Sequence, residues 1–465
     1  MSLALLTDLY QLTMAYGYWR RGLATDGTRA AFHLFFRTPP FGGEVAVAAG
    51  LEPVAEYLEG LHFDGDDLAY LETLTGNDGA PLFHQDFLEW LGALRFDGDL
   101  DMIPEGEVVF PHEPLLRYVG NLAVGQLVET ALLNLVNFQT LVATKASRVV
   151  AAADGCPVLE FGLRRAQGVD GALAASRAAW IGGVAATSNV LAGRRFGVPV
   201  RGTHAHAWVM VHGDELEAFR AYAEVLPNNC TLLVDTYDTL TGIQRAIAVG
   251  HELRARGHRL AGVRLDSGDL HALSLEARRM LDAAGFQDAA IVASNDLDEA
   301  GVAALRQGGA AVSVFGVGTR LVTAYDQPAL GGVYKLAAIA RPREDGTLGP
   351  FEPRLKLSEN AAKVSNPGIQ GVTRRWEGGK PMGDVIGDAS DGLPGDLLVP
   401  VFRHGHRVRA PEPLAVARER AQASTRAFGV HSRQLGGMSG YPVTLEPSLA
   451  RQKAALIAGY RQKEA

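Results

Sequence analysis

The sequence predicts an α/β fold whose central part is a (β/α) barrel. Between residues 158 and 319, short apolar runs recur about every 20–30 residues with helical patterns between them, which is typical of βα units in a parallel sheet. Almost every run ends in polar residues. A barrel builds its site from the carboxyl ends of many strands, whereas a doubly wound sheet places its site at one switch point. The barrel is therefore favoured over its rival, a Rossmann sheet.

The apolar runs give six strands rather than the eight of a complete barrel, so closure is inferred and not counted. They occupy residues 158–161, 198–200, 231–234, 260–265, 289–293 and 310–315. Three earlier segments also have clear periodicity. Helical spacing covers 5–19, strand-like alternation covers 31–37, and a long buried helix is expected over 122–150.

The length of 465 residues suggests about three domains. The βα pattern assigns residues 121–340 to the barrel. Residues 1–120 mix helical and strand patterns and are expected to form an N-terminal α+β domain. The stretch 341–355 is rich in proline, glycine and charge, which indicates a boundary, so 341–465 is expected to form a C-terminal appended domain.

Charge and cysteine content exclude several kinds of partner. With a net charge of −8 and a pI near 5.9, the chain gains little long-range attraction to nucleic acid or anionic lipid. No apolar run of membrane-spanning length occurs, and no signal peptide is evident. Cys156 and Cys230 share no metal-like spacing and fit a reducing compartment. We expect a cytoplasmic protein without nucleic-acid or membrane partners.

A glycine-rich segment, FGVGT at 315–319, follows the last predicted strand. Its glycines would let backbone amides approach a phosphate, and a following helix would add its N-terminal dipole. A plain turn from strand to helix explains the same segment equally well. Arg164 and Arg165 follow the first strand; such paired arginines are usually solvated, but their position at a strand end favours a role in binding anions.

The segment VRLDSGDL at 263–270 alternates Arg264 and Asp266 on one face of a strand. Capping of the next helix explains Ser267 or Asp269, but it does not explain this alternation. An arginine binds carboxylate or phosphate with two parallel hydrogen bonds, and a carboxylate holds Mg²⁺ or a ribose hydroxyl. These residues predict a site for anionic substrates.

Two histidines, His204 and His206, lie in GTHAH after another predicted strand. No third ligand stands at a recognisable spacing, so we expect no protein-bound metal site here. A histidine at a barrel mouth suits acid/base chemistry or nucleophilic attack on a phosphate. Tyr10 lies in an amphipathic helical pattern, where a tyrosine is more often at the edge of a core than in contact with a ligand.

Taken in order, several segments resemble the signature segments of the nicotinate phosphoribosyltransferase family. They span roughly residues 5–370, and the remaining hundred residues show little that matches the family. The segments are LLTDLYQLTMAYGYW, FFRTPPFGG, LEFGLRRAQGVDGA, TSNVLAG, GTHAHAW, LLVDTYDT, VRLDSGDL, SNDLDE, FGVGTRLVT and LGGVYKL. A series of this length in the family's order is far more specific than any one glycine motif.

This resemblance implies an irregular (β/α) barrel of the type II phosphoribosyltransferase kind with a flanking α+β domain. It implies a homodimer with shared active sites, and nicotinate and phosphoribosyl pyrophosphate (PRPP) as substrates for making nicotinate mononucleotide and pyrophosphate. ATP is implied as a co-substrate that is hydrolysed through a phosphohistidine, which falls on His206 by its position in the motif. Mg²⁺ is implied as the companion of PRPP and ATP.

The resemblance also assigns residues to each substrate. Nicotinate contacts fall on Tyr10, Thr203 and Arg264. The substrate-binding residues expected in addition are Arg164 or Arg165, Ser294, Gly316, Gly318 and Thr319, of which Thr319 and the two glycines belong to PRPP. Asp266 or Asp235 would hold the water shell of Mg²⁺ or the ribose hydroxyls.

Three alternatives remain at this point. A nicotinamide phosphoribosyltransferase has the same fold and a similar arginine. A quinolinate phosphoribosyltransferase is shorter and needs more basic residues for a dicarboxylate. A non-catalytic nucleotide-binding regulator would have no need of a phosphorylatable His206. Turnover with nicotinate against nicotinamide separates these alternatives.

Overall fold

A computed structural model describes residues 3–359, 363–429 and 440–464 of the chain. Its strands are β1 (Arg29–Phe36), β2 (Ala46–Val47), β3 (Asp99–Met102), β4 (Val108–Val109), β5 (Leu116–Asn121), β6 (Val158–Glu160), β7 (Ala186–Thr187), β8 (Thr231–Leu233), β9 (Gly262–Leu265), β10 (Ala290–Ala293), β11 (Val314–Val317), β12 (Gly332–Ala340), β13 (Glu352–Pro353), β14 (Gln370–Glu377), β15 (Lys380–Asp388), β16 (Val399–Arg403), β17 (His406–Arg407) and β18 (Val443–Leu445).

The helices follow the same numbering along the chain. They are α1 (Leu9–Arg20), α2 (Leu51–Glu59), α3 (Gly65–Glu72), α4 (Gln85–Ala93), α5 (Leu122–Leu127), α6 (Glu129–Ala152), α7 (Gly168–Ile181), α8 (Val190–Phe196), α9 (His206–His212), α10 (Glu215–Val225), α11 (Thr239–Ala255), α12 (Leu270–Ala283), α13 (Glu299–Gln307), α14 (Thr319–Val322), α15 (Leu414–Ala427) and α16 (Pro447–Glu464). No helix in the described ranges is long and apolar enough to cross a membrane.

The chain divides into two compact units. The first draws on Met1–Leu141, Ala329–Phe428 and Gly436–Ala465, and the second centres on Val142–Pro328. The division falls inside α6. These limits differ from the expected boundaries at 120 and 340, because both ends of the chain contribute to one unit.

A mainly antiparallel sheet in the first unit explains this difference. Its strand order is β13-β12-β1-β5-β3-β16-β17. Strand β16 pairs with β3, so the segment expected as a separate C-terminal domain completes the sheet of the N-terminal segment. Strand β12, which the sequence assigned to the barrel, pairs along the length of β1. Pairing between strands this far apart leaves no local pattern, so the sequence did not reveal it.

The predicted elements of the first unit are confirmed with small changes. The alternating segment is β1, and it is buried from Ala30 to Phe36 because β5 and β12 cover both of its edges. The early helical pattern is α1. The long helix expected over 122–150 is two helices, α5 and α6, because the first ends at Leu127, with Val128 as its C-cap, and the second begins at Glu129.

The second unit contains a parallel sheet with the order β7-β6-β11-β10-β9-β8. The last strand, β11, pairs with the first, β6, through Phe315 and Val158. Because of this pairing, the strands lie side by side in the order in which they occur along the chain, arranged as around a circle. A barrel has this order, whereas a doubly wound sheet does not. Within the described residues the ladder is open between Val200, which bridges Thr187, and β8. The predicted irregular barrel is therefore confirmed.

Five of the six predicted strands are confirmed as β6, β8, β9, β10 and β11. The run at 198–200 is not a strand, because only Val200 forms a bridge to the sheet. The strand beside β6 is instead β7. With two residues, β7 is too short to produce a visible periodicity.

Candidate active site

A cavity of about 300 Å³ lies at the carboxyl ends of the barrel strands. It is lined by residues in or directly after the carboxyl ends of β6, β9, β10 and β11, which is where a (β/α) barrel carries its site. The lining residues are Phe161, Arg164, Arg165, Arg264, Asp266, Ser294, Asn295, Asp296, Gly316, Gly318 and Thr319. The structure thus brings together most of the residues that the sequence selected from separate motifs.

Arg264 links three of the loops around this cavity. Strand alternation buries Val263 and Leu265 and turns Arg264 to the opposite face. Its Nε donates to Ser294 Oγ at 2.8 Å, one Nη donates to Thr203 Oγ1 at 3.2 Å, and the other donates to Asp266 Oδ1 at 2.8 Å. The guanidinium is held in one orientation, which is what recognition of a planar carboxylate requires.

Asp266 is the carboxylate closest to this arginine. Burial alone would raise its pKa, but the Ser294 hydroxyl and the Arg264 guanidinium outweigh burial and hold the pKa of Asp266 below its usual value. The Ser294 hydroxyl donates to Asp266 Oδ1 at 2.5 Å. Asp266 is therefore ionised at neutral pH and balances the charge of Arg264.

Asp235, at the end of β8, supports the loop that carries Asp266. Its Oδ2 accepts hydrogen bonds from the Asp266 backbone N–H at 2.8 Å and from Ser267 Oγ at 2.6 Å. Its Oδ1 is buried and has no hydrogen-bond partner among the described residues. A buried carboxylate oxygen without a partner is costly, so this atom is ready to accept from a ligand hydroxyl or a water.

The two histidines of GTHAH have different surroundings. His204 is buried, and its Nε2 accepts a hydrogen bond from the Leu233 N–H at 3.1 Å. Burial lowers the pKa of His204, so this ring is neutral and part of the barrel wall. The His206 side chain is 41% exposed at the start of α9. Its Nδ1 lies 3.1 Å from Thr236 Oγ1, and its Nε2 lies 3.9 Å from Asp266 Oδ2.

The glycine-rich segment forms the end of β11 and continues through Gly318 into the first residue of α14. A Cβ on Gly316 would lie 2.8 Å from two carbons of the Phe161 ring, so only glycine allows this ring and the strand to lie so close. The expectation that a helix dipole would assist this segment is corrected, because the helix that follows, α14, contains only Thr319–Val322. A helix this short adds little field, so the groups that this segment can offer to an anion are backbone amides and the Thr319 hydroxyl.

Arg164 and Arg165 lie in a short 3₁₀ turn after β6 and are exposed. Their guanidinium groups have no hydrogen-bond or ion-pair partner in the part of the chain that the structure describes. Both side chains line the cavity, so both are available to an anionic ligand. Tyr10 lies elsewhere, on α1 in the first unit, with half of its surface exposed.

Sequence reasoning missed several residues of the cavity. Phe161, whose ring centre lies 5.6 Å from the Arg264 guanidinium carbon, was visible only as the last apolar residue before Gly162. Asn295 and Asp296 have positive φ angles of 107° and 42°, a property that no local pattern announces. Thr236, the partner of His206, was hidden within LLVDTYDT.

No group of three or more His, Cys, Asp or Glu side chains in the described ranges forms a metal-binding cluster. Mg²⁺ commonly uses one or two protein carboxylates and completes its shell with water and substrate phosphates. The free Oδ1 of Asp235 and the exposed part of Asp266 suit that kind of binding.

Comparison with known proteins places the chain within one family. The N-terminal domain model of nicotinate phosphoribosyltransferase (NAPRTase) matches residues 5–137, and the NAPRTase family model matches residues 156–341. The chain is 51% identical over 374 residues to nicotinate phosphoribosyltransferase of Bacillus subtilis, covering 80% of this chain and 73% of that protein. It is 43% identical over 456 residues to a Mycobacterium tuberculosis enzyme of the same name, covering 97% and 94%.

Solved structures agree with the sequence relatives. The crystal structure of human nicotinic acid phosphoribosyltransferase matches with a TM-score of 0.82 and 33% identity, covering 97% of this chain and 99% of that one. A nicotinate-nucleotide pyrophosphorylase from Pyrococcus furiosus matches with a TM-score of 0.70 at 22% identity, which shows a shared fold.

Proposed function

The chain belongs to the nicotinate phosphoribosyltransferase family, and from that premise we propose how its cavity performs the family's reaction. The enzyme forms nicotinate mononucleotide and pyrophosphate from nicotinate and PRPP. The observation that carries the assignment of the cavity is the orientation of Arg264 by Thr203, Ser294 and Asp266. In this proposal Arg264 and Thr203 bind the nicotinate carboxylate, with Ser294 beside them.

The pyridine ring lies against the Phe161 ring in this proposal. The Phe161 face is beside Arg264, so one end of the ligand meets a cation while its ring meets an apolar surface. Tyr10 is proposed to cover the other face of the ring. Tyr10 belongs to the first unit, and the proposal assigns it to the site of the neighbouring subunit.

PRPP is proposed to lie along the glycine-rich segment. Gly316, Gly318 and Thr319 offer backbone amides and a hydroxyl to phosphate oxygens, as in other loops that bind phosphate. Arg164 and Arg165 offer guanidinium groups that no described carboxylate neutralises. Cations of this kind favour a multiply charged ligand, because no neighbouring carboxylate balances their charge.

The reaction itself needs positioning and charge stabilisation rather than a protein nucleophile. The pyridine nitrogen forms a bond to C1 of the ribose as the bond from C1 to the pyrophosphate oxygen breaks, and the electron pair leaves with pyrophosphate. Arg164 and Arg165 stabilise the negative charge on the leaving group. Asp266 or Asp235 hold the ribose hydroxyls or the water shell of Mg²⁺, which when bound supplies charge to the pyrophosphate.

ATP is proposed as a co-substrate that phosphorylates His206. The ring is oriented at Nδ1 by Thr236, the side chain is partly exposed, and Nε2 lies 3.9 Å from Asp266 Oδ2 without a hydrogen bond among the described residues. The terminal phosphoryl group of ATP would pass to Nε2 with ADP as the leaving group, and water would later release it as phosphate. His204 is unsuited to this role, because its Nε2 accepts from a backbone N–H.

A homodimer with shared sites is proposed as the working assembly in the cytoplasm. Exposed apolar side chains support it. In the first unit they lie on and before α1, and include Leu3, Leu6, Leu9, Tyr10 and Met14. In the second unit Val190, Leu191, Met210 and Val211 are exposed on α8 and α9. Clusters of exposed apolar side chains of this kind are typical of an interface between subunits.

Product formation tests the proposal. Purified protein is given PRPP with nicotinate or nicotinamide, with and without ATP, and the nucleotide is measured by chromatography. We expect a preference for nicotinate of at least about 100-fold in kcat/KM, because nicotinamide offers no carboxylate to the mostly buried Arg264 guanidinium. Equal turnover of both bases would favour the nicotinamide enzyme, and no turnover of either would favour a regulator.

His206→Ala tests the ATP step in the same assay. The variant should lose ATP hydrolysis and the stimulation by ATP, yet it should retain slow PRPP-dependent transfer. His212→Ala, on the same helix, is the matched control. Undiminished stimulation in His206→Ala would move the phosphorylated position to another histidine.

A further inference from the structure

The turn after β10 has a strained backbone that faces the cavity. Asn295 and Asp296 both have positive φ angles, 107° and 42°, and neither is glycine. Ser294, Asn295 and Asp296 all line the cavity. Side chains with a Cβ disfavour such angles, so neighbouring contacts must hold this turn in place.

The N-terminal side of this turn is held by contacts with the end of the neighbouring strand, β9. The Ser294 N–H donates to the Leu265 carbonyl at 2.9 Å, and the Ser294 side chain belongs to the Arg264 and Asp266 network. These contacts fix the start of the turn. They do not reach Asp296.

Arg320 holds the C-terminal side. Its Nε and one Nη donate to Asp296 Oδ2 at 3.1 and 3.0 Å, and its other Nη donates to Asp298 Oδ2 at 2.8 Å. Asp298 is itself fixed, because its Oδ1 accepts from the Gly301 N–H at 2.8 Å and caps α13. The guanidinium also lies 4.9 Å from the centre of the Tyr325 ring.

The position of Arg320 in the chain gives this contact a consequence for the site. Arg320 directly follows Thr319, the last residue of the glycine-rich segment that lines the cavity. Its side chain binds Asp296 and Asp298 in the loop that follows the neighbouring strand β10. One side chain therefore ties together the two loops proposed to enclose PRPP, beyond the point where the pairing of β10 with β11 ends.

We propose that Arg320 is a positioning residue for PRPP: it holds the strained turn at Asn295–Asp296 against the segment Gly316–Thr319. The inference rests on the proposal that this cavity binds PRPP. Arg320 does not belong to the cavity lining, and its donors are occupied by two carboxylates. It acts through the two loops and not by contact with substrate.

Steady-state kinetics with varied PRPP test the inference at saturating nicotinate and ATP. Arg320→Ala should raise KM for PRPP by about tenfold, because small displacements of a binding loop weaken contacts with an oriented ligand. KM for nicotinate should change much less, since Arg264 and Thr203 keep their contacts. Arg220→Ala is the matched control, because Arg220 also bridges two carboxylates, Glu217 and Glu252, on the outside of the same unit.

A second-site variant separates positioning from other roles. Asn295→Gly removes the Cβ that opposes a φ of 107°, so the turn needs Arg320 less. Arg320→Ala should therefore raise KM for PRPP by a smaller factor in the Asn295→Gly background than in the natural one. The same factor in both backgrounds, or an unchanged KM for PRPP in Arg320→Ala, overturns the inference.

Arg320→Lys covers the case in which the alanine variant does not fold. One ammonium group cannot reproduce the fork between Asp296 and Asp298, so a smaller rise in KM for PRPP is expected. An unchanged KM in a folded lysine variant also overturns the inference. Thr319→Ala distinguishes the two proposals: if it raises KM for PRPP while Arg320 variants do not, PRPP binds here without help from Arg320. If neither changes KM, the proposed PRPP site is wrong.

Discussion

Replacing Arg264 with alanine removes the group that orients the proposed nicotinate site. The side chain is only 13% exposed and donates to residues of three different loops, so its removal disturbs all three. Alanine leaves Asp266 without its cation and leaves the nicotinate carboxylate without a partner. The strand should survive, because Val263 and Leu265 provide the buried face of β9.

The size of the effect follows from these contacts. Removing one partner of a buried, hydrogen-bonded charge pair costs about 2–5 kcal/mol, mostly through the partner left behind. At 1.36 kcal/mol for each tenfold, this range is about 30- to 5,000-fold in rate. The Asp266 side chain is 29% exposed and keeps its hydrogen bond from the Ser294 hydroxyl. Water can therefore solvate the carboxylate in the variant, which reduces the free-energy cost of losing Arg264. We therefore expect a fall in kcat/KM for nicotinate near the lower end, about 100-fold.

The assay compares nicotinate with nicotinamide in wild type and Arg264→Ala, with thermal unfolding to check the fold. Because the carboxylate has lost its partner, the preference for nicotinate should shrink along with the rate. Arg279→Ala, an exposed arginine on α12, is the control. Normal kinetics would move carboxylate recognition to Arg164 or Arg165. A slow variant with its full preference would show that Arg264 supports the site without recognising the carboxylate.

Three further outcomes are expected. Because its folded pKa is lowered, Asp266 contributes stability above its unfolded pKa near 3.8 and loses it as pH falls through the lower folded value. Asp266→Asn should therefore weaken the acid-induced fall of the urea midpoint, and an unchanged pH profile would contradict the pairing. Lys145→Met should lower the free energy of unfolding by about 3–5 kcal/mol, because the buried ammonium is paired with Glu299 at 2.5 Å, and a negligible change in urea unfolding would refute this. Refolded mixtures of Tyr10→Ala and Arg264→Ala chains should regain about a quarter of wild-type activity if sites are shared across a two-fold dimer, whereas mixed dimers without activity would assign Tyr10 to its own subunit.

The barrel was predictable because its information is local. Strands such as β9 are short and apolar, and each is followed at once by polar residues that the parallel arrangement gathers at one end. The alternation of Arg264 and Asp266 is visible in the sequence for the same reason. Two residues on one face of a strand point to the same side whatever the rest of the chain does.

The first unit could not be predicted in the same way. Strand β16 pairs with β3 across about three hundred residues, and no local pattern records which edge a strand will join. Only the pairing shows that the N-terminal and C-terminal segments complete one sheet. The family resemblance ends near residue 370, before β16, so it gave no indication of that pairing either.

The local sequence pattern does not distinguish the roles of the two histidines, whereas their packing in the structure does. In GTHAH, His204 and His206 are equivalent by composition and spacing, and only resemblance chose between them. Packing gives a physical reason for the same choice. A ring nitrogen that accepts from the Leu233 N–H in a buried wall cannot attack a phosphate without losing that bond. The His206 side chain is partly exposed, and its Nε2 has no hydrogen bond among the described residues that it would lose. Phosphorylation at His206 remains a prediction, and it would leave the hydrogen bond between His204 and Leu233 in the barrel wall intact.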